Sequence, residues 1–265
     1  MFIDSHCHLN FPELSDNLQA IRAAMSAARV GRALVISTRL ESFPAVHALA
    51  TGHENFWCTV GVHPDEENTQ EPTLDDLLER AALPKVLGIG ETGLDYYRLG
   101  ERTVADMAWQ RDRFRVHIQA AQQTQLPLVI HTRSASEDTL AILKEQGEDG
   151  SPKSAGGVFH CFTETAEVAR AALDLGFFIS FSGILTFKNA HDLREVARFV
   201  PMDRLLIETD SPYLAPTPYR GKVNNPSYVP WVAQQIAEIK HLSVEEVAVA
   251  TTANTELLFR MPKIS

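Results

Sequence analysis

Short apolar runs alternate with longer amphipathic stretches along the whole chain. The first run, Ile3 to His8, has the alternation of a strand, with His6 and His8 on one face and Cys7 on the other. Behind it, Ser15 is placed to cap a helix carrying Leu18, Ile21 and Met25 at helical spacing. Runs at Ala33–Ile36, Phe56–Val60, Lys85–Ile89, Leu128–Ile130, Gly157–His160, Phe177–Phe181 and Leu205–Ile207 predict strands two to eight. Between them, helices are expected over 42–51, Thr73 to Ala82, 103–125, Glu137 to near Gly147, Glu164 to Leu175 and 190–199. Thr73 with Asp76, and Ser243 with Glu246 ahead of one of two closing helices, have the spacing of capping boxes. Gly176 is placed to end its helix. Residues 65–72, 147–157 and 216–230 read as loops.

Eight strands alternating with helices, with no composition break over residues 1–265, predict a single α/β domain, a (β/α)8 TIM-type barrel. An open doubly wound sheet is the rival for the same pattern. Three cysteines (Cys7, Cys58 and Cys161), an odd count without C-x-x-C spacing, do not suggest a disulfide framework. No apolar run approaches the roughly 20 residues a spanning helix needs, and the chain opens on a strand with no basic leader ahead of it. The expectation is a soluble cytoplasmic protein with no membrane contact and no obligate protein partner. The net charge of −10 argues against extensive wrapping on a duplex. It leaves room for contact at a strand end, where metals and a few local cations supply the attraction.

The polar residues that carry chemistry fall where strands end. They are His6 and His8 on strand one, His63 after three, Glu91 after four, His131 after five, His160 after six and Asp210 after eight. In a barrel these ends converge on one mouth, the face that holds the active site. His47, His53, His117, His191 and His241 scatter over helices and loops. Four imidazoles (His6, His8, His131, His160) with Glu91 and Asp210 exceed the needs of one tetrahedral zinc. They suit two divalent ions bridged by a carboxylate, with Glu91 as the bridge. Nitrogen and oxygen ligation without thiolate leaves Mg, Mn, Zn, Co and Ni open.

Ser5-His6-Cys7-His8, Gly61-Val62-His63-Pro64, Gly90-Glu91-Thr92-Gly93-Leu94-Asp95, His131-Thr132-Arg133, His160-Cys161-Phe162 and Glu208-Thr209-Asp210-Ser211-Pro212 resemble the TatD family of metal-dependent hydrolases, within the amidohydrolase-like barrel group. The likeness runs from residue 4 to the Thr251–Phe259 tail. It implies a TIM-type barrel, divalent-metal hydrolysis with a metal-activated water, and a deoxyribonuclease of the 3′ to 5′ exonuclease type acting on single-stranded DNA ends.

Within that reading Asp210 is the general base and Glu91 acts through the ions it joins. His63 is a substrate or phosphate contact, or else braces the turn before Pro64. Arg133 either grips a phosphate or pairs with a carboxylate. Asp95 either turns its loop or joins the substrate site. Glu208 and Asp4 are expected to accept hydrogen bonds from ligand histidines. Cys7 and Cys161 read as packing, and Lys188, Arg220 and Lys222 as phosphate contacts or solvated cations. The same ligands fit a metal-dependent ester or amide hydrolase such as a D-aminoacyl-tRNA deacylase, in which the water attacks carbon. A non-catalytic metal-binding protein is a third reading.

Overall fold

A computed structural model of the protein describes residues 1–262. Strands β1 (Phe2–Cys7), β2 (Val30–Val35), β3 (Phe56–Val60), β4 (Val86–Asp95), β5 (Leu128–Arg133), β6 (Gly157–Phe159), β7 (Phe178–Phe181) and β8 (Leu205–Ile207) pair in sequence order, all parallel. The sheet returns on itself. A parallel bridge joins Cys7 and Ser211, Asp210 N–H donates to His6 O (3.0 Å), and the Ser5 hydroxyl donates to Ile207 O (2.9 Å). These bonds between the two end strands make it a (β/α)8 barrel and exclude the open doubly wound sheet.

The helices are α1 (Pro12–Ser15), α2 (Leu18–Ala27), α3 (Phe43–Gly52), α4 (Leu74–Ala81), α5 (Ala108–Thr124), α6 (Ser136–Glu145), α7 (Ala166–Asp174), α8 (His191–Phe199), α9 (Val229–Lys240) and α10 (Val244–Phe259). Strand alternation splits the apolar residues into two cores. Ile3, Leu34, Trp57, Val129, Val158, Phe178 and Leu206 fill the barrel, closed below by Phe259 and Met261. Val35, Cys58, Ile130, Phe159, Ile179 and Ile207 face outward into Met25, Val46, Phe114, Ile142, Ala169 and Val196 of the helices. No helix among the described residues is long and apolar enough to cross a membrane.

The capping boxes at Thr73–Asp76 and Ser243–Glu246 are present in full. Ser15 does not cap a long helix. Pro12, with φ preset for a first helical position, starts a single turn that Ser15 ends, and α2 begins afresh at Leu18. The helix expected over 103–125 enters through a 3-10 turn, Val104–Met107, before α5.

The larger departure is at β4 and β5, which run on to Asp95 and Arg133 rather than stopping at Ile89 and Ile130. Glu91 and His131 therefore lie inside paired strands. Glycines that look like a strand end are what permit the pairing. Gly90 and Gly93 hold φ +147° and +128°, where a Cβ would lie 2.6 Å from Val129 O and 2.0 Å from His131 O.

Gly93→Ala should therefore lower the urea-unfolding free energy by at least ~2 kcal/mol. Gly52→Ala, at the end of α3 with no atom within 4 Å of the new methyl, should raise it by about 0.5 kcal/mol. Similar midpoints for the two variants would show that β4 and β5 tolerate a side chain between them.

Candidate metal centre

Glu91, buried in β4, is where the mouth residues meet. Its two oxygens face different partners. Oε2 lies 3.3 Å from His6 Nε2 and 3.8 Å from His8 Nε2. Oε1 lies 2.8 Å from His160 Nε2, 3.2 Å from His131 Nδ1 and 3.3 Å from His63 Nε2. Asp210 Oδ1 stands 3.4 Å from His8 Nε2 and 3.7 Å from His6 Nε2. Asp210 reaches inward because it turns left-handed after β8 (φ +55°), a conformation Asp tolerates better than most residues. Its N–H is tied to His6 O. The His6 and His160 rings stack at 3.9 Å, so β1 and β6 meet across the mouth.

The outer ring nitrogens determine what the inner ones can do. His8 Nδ1 faces Ile36 O (3.3 Å), His160 Nδ1 faces Glu208 Oε1 (3.2 Å), and His131 Nε2 faces Asp95 Oδ2 (3.0 Å). Each outer nitrogen faces an acceptor and must donate. In a neutral ring the inner nitrogen then carries a lone pair, aimed among carboxylate oxygens. His160 Nε2, though 2.8 Å from Glu91 Oε1, is buried without a hydrogen bond. Lone pairs facing carboxylates repel unless cations lie between them. Imidazole nitrogens braced from behind by carboxylate or carbonyl, facing carboxylate oxygens, are the donor set that divalent metals take. His6, His8 and Glu91 form one group of donor atoms close enough to share an ion, and His6, His160 and Glu208 another.

His63 differs. With Glu91 and His131 it also lies within metal-sharing distance. Its Nδ1, however, accepts the Asp65 N–H (3.0 Å), so a neutral ring carries its proton on Nε2, toward Glu91 and the cavity. His63 presents a hydrogen there, where His8, His131 and His160 present lone pairs.

The charges agree with a site that seeks cations. Burial alone would raise the Glu91 carboxyl, but His160, His63 and His6 hold it well below the usual range. Asp210 is likewise lowered, burial being outweighed by its His8 hydrogen bond and by His6 and His160. Burial opposes protonation of His160, yet Glu91 and Glu208 raise it well above the ordinary value. His131 is raised against burial by Asp95 and Glu91, and His8 by Asp210 and Glu91. Burial and the neighbouring His160 charge lower His6. The carboxylates that favour protonation of His8, His131 and His160 are the same groups that would attract cations.

Several other residues take places that the strand pattern does not reveal. Asp4 does not accept from a histidine ring. Its carboxylate takes the His6 N–H (3.2 Å), the Thr209 N–H (2.9 Å) and the Thr209 hydroxyl (2.5 Å), and burial pushes it up to about 8 against those bonds. The cause is a register shift between Asp4 and Cys7, which breaks the alternation that would place Asp4 below His6. Among the described residues Arg133 meets no carboxylate, and it lies on the Tyr97 ring, 3.6 Å from its centre. Cys7 packs in the outer core, and Cys161 Sγ lies 3.1 Å from Ser182 Oγ.

Asp95 is more than a turn residue. Besides His131 it accepts the Tyr97 N–H (2.8 Å), and Gln110 bonds its backbone on both sides. The sequence offered no signal for His117 or Arg113, one turn apart on α5. His117 Nε2 accepts the Val62 N–H (3.0 Å), and the Arg113 guanidinium donates to His63 O and Glu66 O (both 2.8 Å). Together they fix the turn that aims His63.

A barrel whose mouth gathers three braced imidazoles, with His6 and His63 beside them, around a shared buried carboxylate is the framework of a metal-dependent hydrolase. Residues 3–260 match the model of the TatD related DNase family, and the chain belongs to that family. It is 44% identical over 98% of its length, and 96% of the relative's, to the metal-dependent hydrolase YcfH of Escherichia coli K12. It is 34% identical to the 3'-5' ssDNA/RNA exonuclease TatD of Citrobacter rodentium over 88% of each chain. Among solved structures, the TatD homologue YjjV of Escherichia coli superimposes with a TM-score of 0.88, covering 98% of both chains at 29% identity.

The bonds of His117 generate a pH prediction. Burial lowers its pKa from 6.5 to about 4. Between those values the unfolded chain binds the extra proton and the folded one does not. Stability therefore falls as pH drops from 6.5 to 4 and is fully present above 6.5, the contribution being about 3 kcal/mol. His117→Gln keeps an acceptor for Val62 but cannot titrate. Urea midpoints of metal-free protein across this range should drop less for the variant than for the unsubstituted chain, and parallel drops would remove His117 as the cause.

Proposed function

We propose that this protein hydrolyses phosphodiester bonds at the 3′ end of single-stranded nucleic acid, holding two divalent ions at the mouth. The observation that carries this reading is the division of Glu91, one oxygen facing His6 and His8 and the other His131 and His160. A carboxylate so divided would let Glu91 serve two ions, which His6, His8 and Asp210 on one side and His131 and His160 on the other would help to hold. The donor chemistry accepts Mg, Mn, Zn, Co or Ni. Divalent cations bound there supply Lewis-acid polarisation of a phosphoryl oxygen and acidify a water. The relative named as a 3'-5' ssDNA/RNA exonuclease supports single-stranded DNA or RNA as substrate.

The chain's own groups supply the rest. Asp210, held ionised beside His8, takes the proton from the attacking water. His63, with its hydrogen directed into the cavity, donates to a phosphoryl oxygen. Arg133 places a cation at the rim for a neighbouring phosphate. Glu208 and Asp95 keep His160 and His131 in the orientation that turns their lone pairs inward, while Asp4 ties β1 to the β8 exit through Thr209.

The test is a screen of 3′-labelled single-stranded DNA and RNA, and of D-aminoacyl-tRNA, against each of the five metals. Nucleotide release from the 3′ end is expected. Turnover of the aminoacyl ester alone would replace this reading with attack at carbon. Asp210→Asn, nearly isosteric, should slow nucleotide release by about 10²–10⁴-fold with oligonucleotide affinity kept, and near-native turnover at saturating metal would remove Asp210 as the base. Arg133, Arg220 and Lys222 meet no carboxylate among the described residues, so log K should fall with log salt at a slope of about −2 for a single strand. A slope near −6 would reveal a long basic track.

A further inference from the structure

Two tyrosines stand out at the mouth, Tyr97 (58% exposed) and Tyr213 (55% exposed). A lone exposed tyrosine is ordinary. These two are fixed by the groups that place the metal donors. Tyr97 N–H donates to Asp95 Oδ1, while Asp95 Oδ2 accepts from His131, so one carboxylate sets both the rim ring and the inner imidazole. Tyr213 N–H donates to Asp210 O, and the buried Asn224 amide donates to both Thr209 O and Tyr213 O. The Phe11 ring lies between Tyr213 and the His8 ring, 6.2 Å from the first and 4.9 Å from the second.

Their positions are opposed. Tyr97 follows β4 and carries the Arg133 guanidinium of β5 on its face, while Tyr213 follows β8 and meets Phe11 after β1. In an eight-strand barrel ordered β1 to β8, the β4–β5 side lies across the mouth from the β8–β1 side. In a chain of net charge −10, Arg133 rests on an aromatic face and meets no carboxylate among the described residues. Guanidinium and ring together form a flat, cationic surface of the kind on which bases stack without regard to sequence.

We propose that the mouth carries two base-stacking stations across the metal centre, Tyr213 on one side and Tyr97 with Arg133 on the other. The inference rests on the reading of the protein as a single-strand phosphodiesterase. The substrate that fits is an unpaired strand end whose bases on either side of the cleaved phosphate splay apart, one onto each station. A paired end cannot reach both rings without melting.

The experiment compares single-stranded DNA with methyl p-nitrophenyl phosphate, a diester carrying no base, using the metal-loaded full chain. Tyr213→Leu and Tyr97→Leu should each lower the ratio of kcat/KM for DNA to that for the small diester by about tenfold, mainly through KM. Tyr213→Phe, which keeps the ring, should restore it. 2-Aminopurine at the last or the penultimate position of the strand should be quenched on binding to metal-free protein, and one of the two leucine variants should relieve each quench. An unchanged ratio, or an equal loss on both substrates, overturns the stacking stations while the hydrolase reading stands. Failure of the unsubstituted protein to cleave either substrate overturns the hydrolase reading itself and the stations with it.

Discussion

A buried carboxylate ionised among imidazoles is the constraint on which the mouth is built. Glu91 is almost wholly withdrawn from water, where a bare charge is prohibitively costly unless neutralised. Its neutralisation requires donors from several strands at once, and only a closed barrel delivers β1, β5, β6 and the β8 exit to one point. The β4 glycines serve the same end. They let the strand run close against β5, so that Glu91 is carried at an irregularity between the paired residues Ile89 and Thr92 and not by a loop.

The imidazoles around that carboxylate look alike in the sequence and divide by what stands behind them. Acceptors behind His8, His131 and His160 leave their inner nitrogens free to bind cations. A donor behind His63, the Asp65 N–H, reverses the ring's polarity and sends a proton inward. One backbone amide thus separates a ring that presents a proton to the mouth from rings that present lone pairs. The turn holding that amide is secured by α5, through His117 and Arg113. A helix on the outside of the barrel thereby orients a side chain within it.

This explains what could and could not be read from the chain alone. The eight strands, their alternation with helices and the gathering of His6, His8, Glu91, His131, His160 and Asp210 at one mouth follow from residue type and spacing, because short apolar runs and a single topology determine them. Hydrogen-bond direction does not follow from spacing: the family likeness sets His63 apart from the ligand histidines, but the Asp65 amide that turns its proton inward has no signature in the chain. Asp4 meets the His6 backbone and Thr209 rather than an imidazole, and the register shift beside it is a tertiary event without a residue signature. His117 and Arg113 occupy ordinary buried positions on α5 and announce nothing until Val62 and His63 are seen beneath them.

An acidic protein acting on a polyanion must concentrate its attraction at one place. Around the mouth most arginines are already paired: Arg39 with Glu66, Arg102 with Glu67, Arg113 with Glu71. Among the described residues other cations rest on or near aromatic rings, including Arg133 on Tyr97, Arg220 on Phe187 and Lys222 near Tyr219. Carboxylate-paired cations have little to gain from a phosphate, whereas a cation held over a ring keeps its charge available. On the proposed reading, then, the flank of a nucleic acid duplex finds almost nothing to bind, and affinity must come from the ions and from exposed bases. Only an unpaired end can offer a phosphate to the first and bases to the second together. The low net charge thus becomes a source of selectivity, because it removes the nonspecific backbone binding that would hold the enzyme on intact duplex.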